Sequence, residues 1–163
     1  MSVIDDLIES VHAKPTLVTA RYTVTPAMTQ IHGVLHGGIS AAVAEHVASL
    51  GATAGAFDGY IAVGVSLEAH HLRPAPLGAM VDVQAWPESS GHTIQTWRVE
   101  QRLVTQNASS RDDAHALFNV CTVTLYLKKA PDHATSVPAT PAHPTSSHAT
   151  PQAHDQSQGD HDA

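Results

Sequence analysis

Residues 35–49 read LHGGISAAVAEHVAS, and this stretch constrains the fold more than any other. A His-Gly-Gly turn opens a run of small residues with the makings of a helix over 39–54. Ile39, Ala41, Ala42, Val43, Ala44, Val47, Ala48 and Leu50 make that helix apolar nearly all round. Such a helix must be covered on most of its sides. A sheet wrapped around it covers one side, and a second subunit is the natural cover for the rest. One carboxylate, Glu45, sits among Ala41, Ala42, Ala44 and Ala48, where a charge is costly unless a site uses it.

The turn and the acid suggest a division of labour. Gly37 and Gly38 allow backbone N–H groups to approach a ligand closely. A helix N-terminus offers unpaired donors and partial positive charge to an oxyanion. Eight residues of helix span roughly 12 Å, too far for Gly37 and Glu45 of one helix to meet at one carbonyl. Two antiparallel copies would pair the Glu of one subunit with the Gly of the other. The stretch thus points to acyl chemistry at a subunit interface.

The remaining pattern sets the fold class. Apolar residues at 3, 4, 7, 8 and 11 predict a short N-terminal helix. Segments 16–25, 60–72, 79–86, 93–104 and 117–128 are β-rich and mostly alternating, separated by turns and one polar loop at 106–114. Consecutive strands with mostly short links predict an antiparallel sheet. With one long helix against it, the class is α+β.

The chain has 163 residues. Residues 1–130 carry the core-forming residues and read as one domain. From Pro131 onward there is no Ile, Leu, Phe, Trp, Tyr, Lys or Arg. A 131–163 extension of that composition is expected to be disordered. Its His133, His143, His148, His154 and His161 would bind metal weakly at most, and a solubilising tail is the simpler reading. The net charge is −7, and Asp132, Asp155, Asp160 and Asp162 of the tail supply more than half of it. With no basic stripe, nucleic acid is not an expected partner. No apolar run is long enough to span a membrane, and the first residues lack the marks of a signal peptide, so a cytoplasmic location is the default. Cys121 is the one cysteine, expected buried in a strand.

Three motifs, LHGGISAAVAEHVAS, VGVSLEAHHLRPA at 63–75 and SSGHTIQTWRVE at 89–100, together resemble the hotdog-fold acyl-CoA thioesterases. They are most similar to the PaaI-like group, which includes 4-hydroxybenzoyl-CoA and 1,4-dihydroxy-2-naphthoyl-CoA thioesterases. The resemblance covers about residues 15–129. It implies a sheet wrapped around one central helix and a homodimer or homotetramer with shared sites. For catalysis it implies Glu45 as base or nucleophile, and Gly37 as the N–H donor to the carbonyl. Gln30 and His36 would orient the carbonyl or the leaving thiolate, and Ser49 would help to hold water. For acyl-CoA it implies contacts from Gly64, from His71, Leu72, Arg73 and Pro74, and from Glu88, Ser89, Ser90, Gly91, His92 and Thr93. His70 competes with His71 for the pocket position, and the two point to opposite faces of a strand. No cofactor is implied, and no metal-ligand spacing occurs in the domain. Two other functions stay open: a hotdog dehydratase or hydratase acting on acyl thioesters, and a non-catalytic acyl-CoA-binding module.

Overall fold

A computed structural model describes residues 3–104 and 115–131. The predicted loop at 106–114 and the extension after Pro131 lie outside the described residues. The order is β1 (Ser10–Lys14), β2 (Leu17–Thr23), α1 (Gly37–Ala54), β3 (Tyr60–His71), β4 (Met80–Ser90), β5 (Ile94–Val104) and β6 (His115–Lys129). The six strands form one antiparallel sheet in the order β1-β2-β4-β5-β6-β3. The link between β3 and β4 therefore crosses from one edge of the sheet to its middle, where a simple meander would have placed them side by side.

The N-terminal helix expected from residues 3–11 does not form. A single 3-10 turn, Asp5–Leu7, is followed by β1. The apolar spacing still has its use, since Ile4, Leu7, Ile8 and Val11 all pack against the core. A helix of that length is marginal on its own, and β1 gains a full antiparallel ladder with β2, from Ser10 opposite Arg21 to Lys14 opposite Leu17.

Helix α1 lies on one face of the sheet and touches all six strands. Six strands at about 4.8 Å spacing are wider than one helix of ~10 Å diameter, so the sheet must curl around it. The buried positions of α1 are Ser40, Val43, Ala44, Val47, Ala48, Gly51 and Ala52. They recur at i, i+3, i+4 and i+7, a single stripe. Within one chain Ala41, Ala42 and Leu50 are only half-buried, so the sheet covers one side of the helix and leaves the others. Small side chains along the stripe let the strands approach closely. Gly51 shows how closely: a Cβ there would stand 2.6 Å from Trp97 Cζ3 and 2.7 Å from Val18 Cγ2.

The inward rows of β4, β5 and β6 supply the other half of the core. Val81, Val83, Ala85, Trp97, Val99, Cys121, Val123, Leu125 and Leu127 are all buried, and Cys121 is buried as expected. One polar set interrupts this face. Gln101 on β5 pairs with Asn119 on β6, which pairs with His71 on β3. Among the described residues, no helix is long and apolar enough to cross a membrane.

Candidate active site

The N-terminus of α1 is built by its own sequence. His36 is the N-cap in extended conformation, and its Nδ1 accepts the Gly38 N–H at 3.0 Å. His36 Nδ1 is thereby committed to the turn. The Gly37 N–H has no hydrogen-bond partner among the described residues, as expected for a first-turn donor. It borders a cavity of about 500 Å³ whose lining includes Gln30, Gly37, Ser40, His71, Arg73 and Phe118. Leu72 and Pro74 complete the strip of β3 and its exit that faces this space.

Of the two adjacent histidines, His71 is the one at the cavity. Its Nε2 stands 2.8 Å from Ser40 Oγ, and a Cβ added to Gly37 would meet its Cε1 at 3.1 Å. His70 faces away and stands 3.2 Å from Glu68 Oε1 in an exposed pair.

Glu45 is elsewhere. It is exposed in the single chain, and its carboxylate lies directly over Gly64 of β3. A Cβ at Gly64 would collide with Glu45 Oε1 and stand 2.7 Å from Cδ. Gly64 is therefore the residue that makes room for the acid. The β3–β6 register shifts immediately beyond it, between Gly64 and Ser66. Ser49, one turn along α1, is half-buried.

The hairpin at 88–93 joins β4 to β5 at the Gly64 end of the sheet. Ser90, Gln95, Leu125 and Gly64 are successive partners across four strands. Gly91 donates to Ile94 O at 3.0 Å, and a Cβ there would stand 2.5 Å from that same oxygen. His92 stacks on Phe57 with ring centroids 5.7 Å apart, so the hairpin tip is tied to the α1–β3 link. Glu88, Ser89, Ser90 and Thr93 are exposed.

One chain thus holds two groups of candidate site residues. Gln30, Gly37 and residues 71–74 line the cavity, and His36 caps the helix next to Gly37. Glu45, Ser49, Gly64 and the 88–93 hairpin belong to the other end. On β6 the two levels are marked by Asn119 and Leu125, about 20 Å apart along a strand. Gly37 and Glu45 are separated by about 12 Å of helix.

Sequence reasoning missed a buried polar set behind the cavity. Tyr22 OH donates to Gln101 Oε1 at 2.7 Å, and Gln101 Nε2 donates to Ser40 O at 2.8 Å. Ser40 Oγ is 2.9 Å from Gly37 O. Asn119 Nδ2 is buried and lacks a partner among the described residues. A signal for part of this was readable. Gln95, Trp97, Val99 and Gln101 alternate inward along β5, and a polar residue on an inward row needs a partner. Burial pushes the Tyr22 hydroxyl well above its ordinary pKa, so it remains a donor.

A single helix cradled by a six-stranded antiparallel sheet defines the hotdog class, and here the helix begins at the free Gly37 N–H. The thioesterase superfamily model matches residues 32–107. A 1,4-dihydroxy-2-naphthoyl-CoA thioesterase of Arabidopsis thaliana is 40% identical over 125 residues, spanning 76% of this chain and 77% of the relative. A 1,4-dihydroxy-2-naphthoyl-CoA hydrolase of Listeria monocytogenes is 32% identical over 57% of this chain and 75% of its own. The crystal structure of a Haemophilus influenzae thioesterase superposes with a TM-score of 0.68 at 30% identity, covering 82% of this chain and 87% of that one. The chain belongs to the thioesterase superfamily.

Proposed function

We propose that this enzyme hydrolyses an aromatic acyl-CoA thioester to the free acid and CoA, in sites shared between two subunits. The Gly37 N–H of one subunit holds the carbonyl oxygen, helped by the dipole of α1. Glu45 of the other subunit acts on the carbonyl carbon. As a base it takes a proton from water while the water oxygen bonds to carbon. The C–S bond then breaks, and the proton passes to the leaving thiolate. As a nucleophile its oxygen bonds to carbon first, the thiolate leaves, and water opens the resulting anhydride. Ser49 holds the water. Gln30 and His36 orient the carbonyl or the thiolate, and His71 borders the acyl group. Arg73 and the 88–93 hairpin contact CoA. The aromatic acyl class follows the names of the Arabidopsis and Listeria relatives.

The observation that carries this reading is the separation of the two residue groups on one chain. β3 is an edge strand, and its outward Val65 is 61% exposed. Antiparallel pairing of β3 with its own copy would satisfy the open edge. It would also set the Gly64 end of one subunit beside the His71 end of the other, and give α1 its second cover. The resulting assembly is a dimer or a dimer of dimers.

Mixing two inactive variants tests it. Glu45→Ala removes the acid. Gly37→Pro removes the N–H at a helix position that accepts proline, after a His36 whose ψ of 127° suits the residue before proline. Thiol release from a panel of aromatic and aliphatic acyl-CoAs is the readout. Each variant alone is expected to be inactive, and co-refolded mixtures to recover activity, because a mixed dimer keeps one intact site. Properly folded mixed dimers with no recovery would refute the shared site. Turnover of acyl-CoA by the wild type without thiol release would refute hydrolysis.

A further inference from the structure

Ser40 has one hydroxyl proton and two close neighbours, Gly37 O at 2.9 Å and His71 Nε2 at 2.8 Å. A carbonyl oxygen only accepts. If the hydroxyl proton pointed to the imidazole, two oxygens would face each other at 2.9 Å with no proton between them. If it points to Gly37 O, both contacts are satisfied, provided that His71 Nε2 carries a hydrogen and donates it to Ser40 Oγ. The chain of donors then runs from His71 Nε2–H through Ser40 O–H to Gly37 O. Which ring nitrogen bears the proton is assigned by its bonding partners in this way.

The surroundings hold Ser40 in that role. It is fully buried, and its own carbonyl receives Gln101 Nε2, itself backed by Tyr22 OH. Among the described residues Ser40 is the hydrogen-bond partner of the His71 ring. Asn119, beside His71 on the next strand, bonds to Cys121 instead. The ring turns one edge towards Gly37. From the position a Gly37 Cβ would take, Cε1 is at 3.1 Å, Nε2 at 3.3 Å and Nδ1 at 3.6 Å.

We propose that Ser40 is a positioning residue that locks His71 in the Nε2–H tautomer, so that Nδ1 is the acceptor the ring offers to the bound acyl group. The kinetic consequence rests on the thioesterase reading above, while the tautomer does not. Nδ1 lies 3.6 Å from the Cβ position of Gly37, beside the residue proposed to hold the carbonyl, so the group it selects is a hydrogen-bond donor near the thioester carbonyl. A hydroxyl ortho to that carbonyl on an aromatic ring has this placement. With the opposite tautomer the ring would present N–H there, which such a hydroxyl could meet only as an acceptor.

Long-range ¹H–¹⁵N correlation spectra of uniformly labelled protein report the tautomer directly, with His71 assigned by its absence in His71→Gln. The neutral ring of the wild type is expected to show protonated Nε2 and bare Nδ1. Ser40→Ala should give a mixture of tautomers, and Ser40→Thr, which restores a hydroxyl, should recover the wild-type pattern. In parallel, the ratio of kcat/KM for 2-hydroxybenzoyl-CoA over benzoyl-CoA should fall about twofold in Ser40→Ala, the cost of a competent tautomer present in about half of the rings. A wild-type ring protonated on Nδ1 would overturn the proposal with no variant needed. So would a Ser40→Ala protein with an unchanged spectrum, or a changed spectrum with an unchanged hydroxyl preference. If the wild type hydrolyses neither thioester, the reaction assigned above fails separately. The spectra and the calorimetric affinities for the two CoA esters then still decide the role of Ser40.

Discussion

Replacing Gly64 by alanine should silence the enzyme while sparing its fold. The new Cβ would overlap Glu45 Oε1 and stand 2.7 Å from Cδ and 3.3 Å from Cγ. Carbon atoms in contact prefer about 3.5–4.0 Å, so the carboxyl group must retreat by about 1 Å. Misplacing a reacting group by that distance costs on the order of 10²-fold in rate. Stability should respond quite differently. The colliding atoms are the far end of a flexible side chain that can rotate away, exposed in the single chain, and strand glycine is itself unfavourable by roughly 0.5–1 kcal/mol relative to alanine. Gly64→Ala should therefore lose about 10²-fold in kcat, measured by thiol release, with a urea midpoint equal to or above that of the wild type. Full activity would refute the claim that Gly64 sets the position of Glu45. A loss of about 2 kcal/mol or more in stability would refute the claim that only a mobile carboxylate is displaced.

Three further substitutions or conditions probe the frame. Gly51→Ala should destabilise by about 2 kcal/mol in urea titration, because its Cβ would press on Trp97 and Val18 in a full core, a cost greater than the helix preference for alanine. Tyr22→Phe should cost about 1–3 kcal/mol, since it strands the buried Gln101 Oε1 that the phenol now satisfies at 2.7 Å. The effect should vanish in a Tyr22→Phe/Gln101→Leu background if the bond carries it. Burial pushes the Cys121 thiol up to about 11, against a smaller lowering by Asn119. Its folded value lies above the unfolded one of about 8.5. The thiol's contribution is therefore fully present below pH 8.5 and is lost as pH rises towards 11. Urea midpoints of wild type and Cys121→Ala between pH 8 and 11 should show the steeper decline in the wild type.

Much of the architecture was legible because it depends on local periodicity. The alternation of β3, β4, β5 and β6 placed those strands to within a few residues, and the His-Gly-Gly turn marked the start of α1. The extent of each element was less legible. Residues 3–11 have helical spacing, yet a 3-10 turn and β1 pack Ile4, Leu7, Ile8 and Val11 against the core and leave Val3 exposed, because a ladder with β2 was available and an isolated short helix had little to stabilise it. The choice between His70 and His71 was open in the sequence, since alternation says only that they face opposite ways.

What the sequence by itself determined is the inventory and its local geometry. A small-residue helix, a donor-bearing turn and an acid eight residues beyond it follow from residue types and the rise of a helix. The tertiary structure alone decided which distant residues meet. The crossing from β3 to β4 puts β3 on the open edge, and the β6 ladder aligns His71 with Asn119 and Gln101. The curl of the sheet brings Gly64 under Glu45 and His71 onto Ser40. These contacts join residues eighteen or more positions apart. No period of 2 or 3.6 residues encodes such a pairing, because it comes from the sum of strand register, sheet curvature and close packing around α1.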